Sequence, residues 1–186
     1  MARPRSKSDE EVLAAALRAV GEHGVAKLTL ADVAREAGLA PSTLAERYGS
    51  KRALLLAAAK SAAGGVERAF AAAGGDAARS PRGAAVEFLV ALAAPVSDRR
   101  AFAHHLALLE LDVADPEFRA AAAAHVAAVL ERLGALGLTP AEARRLYVAY
   151  NGALVLWALT GEGSPADALR ADLSGVEAEA EPVEQS

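Results

Sequence analysis

The stretch that decides the fold is Leu28-Thr-Leu-Ala-Asp-Val-Ala-Arg-Glu-Ala-Gly38-Leu-Ala-Pro-Ser-Thr-Leu-Ala-Glu-Arg-Tyr48-Gly-Ser-Lys51. Thr29, followed three residues on by Asp32, is a capping signal and predicts a short helix opening at Thr29 or Leu30. Gly38 closes that helix, because a tight corner needs a positive φ that glycine takes without a Cβ penalty. A second short helix is expected from Pro41 to Tyr48, since proline is well tolerated in a first turn. Val33, Ala34, Ala37, Leu39 and Leu44 then share a small core, with Ala34 small enough for the two helices to cross closely. The remaining face of residues 40–48 carries Ser42, Thr43, Glu46 and Arg47. Short polar side chains permit approach to base edges, and an arginine suits a phosphate or a guanine. This is the layout of a helix-turn-helix, whose second helix enters the major groove. Helix–Gly–helix pairs also occur in purely structural bundles, which is the competing reading.

Working outward, Ser8 and Glu11 form a second capping-box pair and predict a helix from about Asp9 to His23, ended by Gly24. Val12, Leu13, Ala16, Leu17 and Val20 give it one apolar face. Ser50 caps a long helix from Lys51 to about Ala73, and Gly74-Gly75-Asp76 breaks the chain. Further helices are expected near 81–95, 98–113, 116–135 and 140–161. Pro81, Pro116 and Pro140 sit in first turns behind the caps Ser80, Asp115 and Thr139. A short helix spans 165–173. The Glu- and Ala-rich end lacks an apolar face and reads as an acidic tail.

Composition agrees with packed helices. Apolar residues are 53% of the 186, many of them alanine, while aromatics are 4%. Without cysteine there is no disulfide, thiolate metal site or cysteine nucleophile. The best apolar run, Leu146–Thr160, is too short to cross a bilayer. The basic start lacks the apolar middle of a signal peptide, so a cytoplasmic protein is expected. Net charge is −4, but residues 1–60 hold ten Lys and Arg against seven Asp and Glu, and the remainder holds ten against seventeen. A basic head on an acidic body suits a protein whose head alone meets phosphate.

Residues 9–56 closely resemble the TetR family of regulators. The likeness rests on the amphipathic first helix with its Glu22-His23-Gly24 end, on Leu28 through Gly38, on Thr43-Leu44 and on Ser50-Lys51-Arg52. The resemblance implies an all-α fold: a three-helix helix-turn-helix DNA-binding domain over 1–50, a connecting helix over 51–74, and a helical-bundle ligand-binding and dimerisation domain over 75–173. Residues 174–186 remain as the tail. It also implies that Ser42, Thr43 and Arg47 face DNA from the recognition helix, and that Thr29 and Lys51 meet phosphates. Lys27, Lys7 and the arm residues Arg3 and Arg5 would add phosphate or minor-groove contacts. The family usually carries Tyr-x-x-Phe after Thr-Leu; here those positions are Ala45 and Tyr48, and Tyr48 is expected to pack as the anchor.

For the body, the resemblance implies a homodimer built as a four-helix bundle from the 116–135 and 140–161 helices of each subunit. The second of these carries a stripe of Leu146, Ala149, Tyr150, Ala153, Leu154 and Trp157, and the alternative reading of that stripe is an intramolecular core. An effector pocket is expected among Phe88, Leu92, Phe102, His105, Leu108, Leu109, Tyr147, Asn151 and Trp157. Such a pocket favours a mainly apolar small molecule with one or two polar groups. His104, His105, Glu110, Asp112 and His125 raise a metal reading. Adjacent histidines point to different helix faces, so no metal and no cofactor are expected. No nucleophile elbow, phosphate loop or apolar pair of carboxylates points to an enzyme. The expected function is a sequence-specific repressor of double-stranded DNA operators, released by a small-molecule effector. An effector-independent activator or nucleoid-type binder is the alternative.

Overall fold

The structure, a computed structural model, describes residues 7–74 and 80–175. Among these residues there are nine helices and no strand: α1 (Asp9–Lys27), α2 (Leu30–Ala37), α3 (Pro41–Tyr48), α4 (Lys51–Ala72), α5 (Pro81–Leu92), α6 (Arg99–Ala114), α7 (Pro116–Ala135), α8 (Pro140–Thr160) and α9 (Pro165–Ser174). The fold is all-α. Residues 75–79 of the expected break and 176–186 of the expected tail lie outside the described residues.

Local chemistry sets most helix starts. Ser8 and Glu11, Thr29 and Asp32, and Thr139 and Glu142 are reciprocal capping boxes. In each, the hydroxyl accepts from the N3 amide and the N3 carboxylate accepts from the cap amide. Ser50, Ser80, Asp98 and Ser164 each accept one amide from the first turn behind them. Gly24 takes φ 72° and ψ 152°, so α1 is kinked there and one further turn follows to Lys27. Gly38 takes the left-handed φ 68° and ψ 36° at the corner between α2 and α3.

The described residues fall into two compact units, residues 7–68 with 94–129 and residues 69–74 and 80–93 with 130–175. In the first, Val12, Ala16, Val20, Val33, Ala34, Leu44 and Leu54 are wholly or almost wholly buried in one cluster. That cluster also takes in Phe118 of α7, while Leu108 and Leu111 of α6 pack against it. The helix-turn-helix core is thus completed by residues far along the chain. Each buried Leu or Phe contributes about 1.5–3 kcal/mol of transfer free energy.

In the second unit Phe88, Leu89, Leu133, Leu146, Leu169 and Leu173 have no exposed surface. Phe70 meets Phe88 edge-on, with centroids 5.5 Å apart. The short α9 is held by Arg170 on Glu87, with two contacts of 2.8 and 3.0 Å, and by Arg82 donating to the Leu173 carbonyl. The α8 stripe resolves towards its intramolecular reading: Leu146, Tyr150, Ala153, Leu154 and Trp157 are all buried within the chain. Trp157 and Tyr150 therefore do not face a partner. The outward face of α8 is instead Val148, Val155, Leu156 and Leu159, which are exposed, with Gly152 between them.

Candidate nucleic-acid interface

Helix α3 is two turns long and buries only Leu44, which anchors it against α2 and α1. The pattern Pro41-Ser-Thr-Leu-Ala-Glu-Arg-Tyr48 allows little else, since its single large aliphatic side chain lies between polar or small neighbours. Ser42, Ala45 and Glu46 are exposed and Thr43 is half-buried. The surface left facing outward is small, polar and free of bulk, as base-edge approach requires.

The residues around α3 are less free than their sequence positions suggest. Thr29 caps α2: its hydroxyl donates to Asp32 Oδ2 at 2.6 Å and accepts from the Asp32 amide. The hydroxyl, the Thr29 amide and Arg35 together hold the Asp32 carboxyl down at about 2. Lys27 is exposed at the end of α1. Lys51 is half-buried, and its ammonium donates to the Val25 carbonyl at 3.2 Å. The Lys7 ammonium bonds Glu11 at 2.9 Å. Arg3 and Arg5 lie outside the described residues.

Arg47 folds back on α1 rather than extending outward. It donates to the Lys7 carbonyl at 2.9 Å and to Asp9 Oδ1 at 2.5 Å. Tyr48 donates its hydroxyl to the same Asp9 oxygen at 2.7 Å, and the guanidinium lies 5.8 Å from the Tyr48 ring centroid. These bonds, that of Tyr48 first, hold the Asp9 carboxyl below its ordinary range. Burial, and then the bond to Asp9, push the Tyr48 phenol up to about 12. Tyr48 does serve as the anchor expected of it, half-buried against the core cluster. Arg52 is an ion-pair residue: it bonds Asp115 and Glu117 at 2.6 and 2.8 Å and lies 5.7 Å from the Phe118 ring centroid.

A solvent-facing α3 set across a glycine corner from α2 is the arrangement carried by the family described as bacterial regulatory proteins, tetR family, whose model matches residues 12–58. Over these residues the chain carries the helix-turn-helix of that family. It is a transcriptional regulator with a helix-turn-helix DNA-binding domain. No curated protein matches the sequence. Solved structures do. A TetR-family member from Streptomyces coelicolor is 25% identical, with a TM-score of 0.66 over 89% of this chain and 95% of that one. The multidrug binding protein EbrR, complexed with ethidium, is 26% identical, with a TM-score of 0.63 over 89% and 96% of the two chains. A Rhodococcus protein described as a putative TetR-family transcriptional regulator shares the fold at 19% identity, with a TM-score of 0.61 over 90% and 97%.

The expected effector residues fall in both units. Phe102, His105 and Leu109 belong to the first; Phe88, Leu92, Tyr147, Asn151 and Trp157 belong to the second. Phe88, Phe102 and Trp157 are buried, Leu92 and Tyr147 are half-buried, and His105, Leu109 and Asn151 are exposed. His105 stacks on Phe102 with centroids 6.3 Å apart. Asn151 donates to the Tyr147 carbonyl, and the Trp157 indole donates to the Gly163 carbonyl. Two surface cavities stand out among the described residues, and none of these eight residues lines either. One, of about 220 Å³, has an alanine floor of Ala63, Ala120, Ala121 and Ala124 beside Lys60, Glu117 and His125. The other, of about 280 Å³, is bounded by Ser80, Gly83, Val86, Glu87, Arg170 and Ser174. Among the described residues no group of three or more His, Asp or Glu side chains is placed to hold a metal, and no helix is long and apolar enough to cross a membrane.

Two residues of the first unit carry contacts that sequence reasoning missed. Asp9 reads in the sequence only as an acidic first-turn residue, and His104 only as half of an adjacent pair. Asp9 engages Arg47 and Tyr48, whereas His104 donates from Nδ1 to the Gly21 carbonyl at 2.7 Å. Their partners lie 38 and 83 residues away in the chain, and no local spacing signals either contact.

Proposed function

We propose that this regulator is a homodimeric, cytoplasmic repressor that binds a pseudo-palindromic operator through α3 and leaves it when a small molecule binds the body. The observation that carries the DNA reading is the outward polar face of α3, where Ser42 and Glu46 are exposed, Thr43 is half-buried and only Leu44 is buried. In this reading Thr29 and Lys51 meet phosphates, Lys27, Arg3 and Arg5 add phosphate or minor-groove contacts, and Ser42 and Thr43 read bases. Two such heads need a two-fold axis to meet two half-sites. The exposed apolar face of α8 supplies a surface for a second copy of the chain. Val148, Val155 and Leu159 recur on one side of the helix, and a Cβ on Gly152 would meet nothing of its own chain within 4 Å.

The effector reading is supported by the likeness to a multidrug binding protein whose structures hold ethidium and proflavin. Here the effector is a mainly apolar small molecule with one or two polar groups. It releases DNA only by stabilising the released state more than the bound one. A small-molecule library screened by thermal shift, followed by operator binding, tests this. Expected hits raise the melting temperature and weaken DNA binding together. Hits that raise the melting temperature and leave DNA affinity untouched refute induction but spare the DNA reading.

A further inference from the structure

We propose that Asp9 is a positioning residue that latches Arg47 of the recognition helix away from DNA, so that operator binding must displace Asp9 from the guanidinium. This rests on the reading that α3 faces DNA. The geometry is a single carboxylate oxygen taking two donors from α3, Arg47 Nη2 at 2.5 Å and Tyr48 Oη at 2.7 Å. The Lys7 carbonyl takes Arg47 Nη1 at 2.9 Å. Although Arg47 sits on an outward helix, its side chain is only 28% exposed, while that of Asp9 is 73% exposed. The arginine is folded down and the carboxylate stands on the solvent side. The neighbouring carboxylates are engaged elsewhere, Glu10 with Arg68 and Glu11 with Lys7 and Ser8, so Asp9 is the acid opposite Arg47.

A guanidinium whose two terminal nitrogens are held by the Lys7 carbonyl and Asp9 cannot present the fork that guanine or phosphate accepts. For Arg47 to contact DNA, the Asp9 pair must open, and Asp9 is then left beside a polyanion. The latch therefore subtracts the strength of the pair from operator affinity. The ammonium of Lys51, by contrast, is held by a neutral carbonyl, that of Val25.

The test is a double-mutant cycle on DNA affinity. The probe is a duplex selected from a random pool by the wild-type protein. Asp9→Asn is expected to tighten binding about fivefold, the upper range for an exposed ion pair. In an Arg47→Ala background the same change is expected to do clearly less, because only the removal of one negative charge remains. Asp9→Ser, which also removes the carboxylate but favours a helix start, should repeat the gain. Equal gains in both backgrounds, or weaker binding by both Asp9 variants, overturn the latch. The first outcome shows general electrostatics, and the second shows Asp9 as a support for α3. Selection of no duplex by the folded wild-type protein overturns the DNA reading itself, and is seen before any variant is made.

Discussion

A Cβ on Gly24 would lie 3.0 Å from Cδ2 and 3.1 Å from Nε2 of His104, so the kink in α1 and the imidazole from α6 occupy adjoining space. The same ring donates to the Gly21 carbonyl, three residues earlier, at 2.7 Å. Helix α6 is thereby keyed to the kink of α1, and Arg100 adds a second tie by donating to the Glu22 carbonyl at 2.8 Å.

Gly24→Ala is expected to destabilise the protein by about 1–3 kcal/mol, because φ 72° with ψ 152° is a conformation that side-chain-bearing residues rarely adopt. Crowding against His104 adds to that cost. His104→Ala in the same chain should relieve the crowding but not the backbone strain. Thermal melts of the two single variants and the double variant check this. A fully additive cycle would show that the two residues are not coupled.

The faces of α8 predict opposite outcomes. Val155→Glu or Leu156→Glu alters an exposed side chain and should dissociate the proposed dimer in sedimentation while each subunit remains helical. Trp157→Ala removes a side chain that is 4% exposed and should cost about 3–5 kcal/mol of stability. Dimers that withstand both surface charges would move the interface elsewhere.

Lys51→Ala is expected to weaken binding to all duplexes and to reduce the salt slope by roughly one. It also leaves the Val25 carbonyl without its donor, so a small loss of stability should accompany it. Arg47→Ala is expected to cost about 1 kcal/mol, the low end for a base contact, because opening the Asp9 pair offsets part of what Arg47 contributes. Fluorescence anisotropy across salt concentrations separates the two. An unchanged slope for Lys51→Ala would rule out its phosphate contact.

Acid should loosen the head through its capping boxes. Asp32 is held at about 2, chiefly by the Thr29 hydroxyl, and Glu11 at about 2, chiefly by Lys7 and then the Ser8 backbone. Both folded values lie below the ordinary 3.8 and 4.5. Their contribution is therefore complete above those ordinary values and is lost as pH falls from about 5 towards 2. Thr29→Ala removes the cap, lowers stability at neutral pH by about 1 kcal/mol, and flattens the acid dependence. Denaturant titrations at pH 7, 4 and 3 decide it. Parallel pH dependences for the variant and wild type would mean that the Thr29–Asp32 box does not carry the effect.

The helix borders were legible because their causes are local. Ser8 with Glu11, Thr29 with Asp32 and Thr139 with Glu142 act over three residues, and Gly38 acts through its own φ. The buried face of the head was legible for a related reason: on α2, Val33, Ala34 and Ala37 lie one turn apart with Arg35 and Glu36 between them, and on α3 Leu44 is the one large aliphatic residue. Tertiary structure decided what spacing leaves open. Helix α8 is apolar on more than one side, so periodicity alone could not say that Tyr150 and Trp157 turn inward while Val155 and Leu159 face out. Phe118 completes the helix-turn-helix core from α7, and Asp9 captures Arg47 across 38 residues. Such contacts depend on where whole helices are placed. Helix placement is the sum of many weak packing energies, and no single residue pattern announces it.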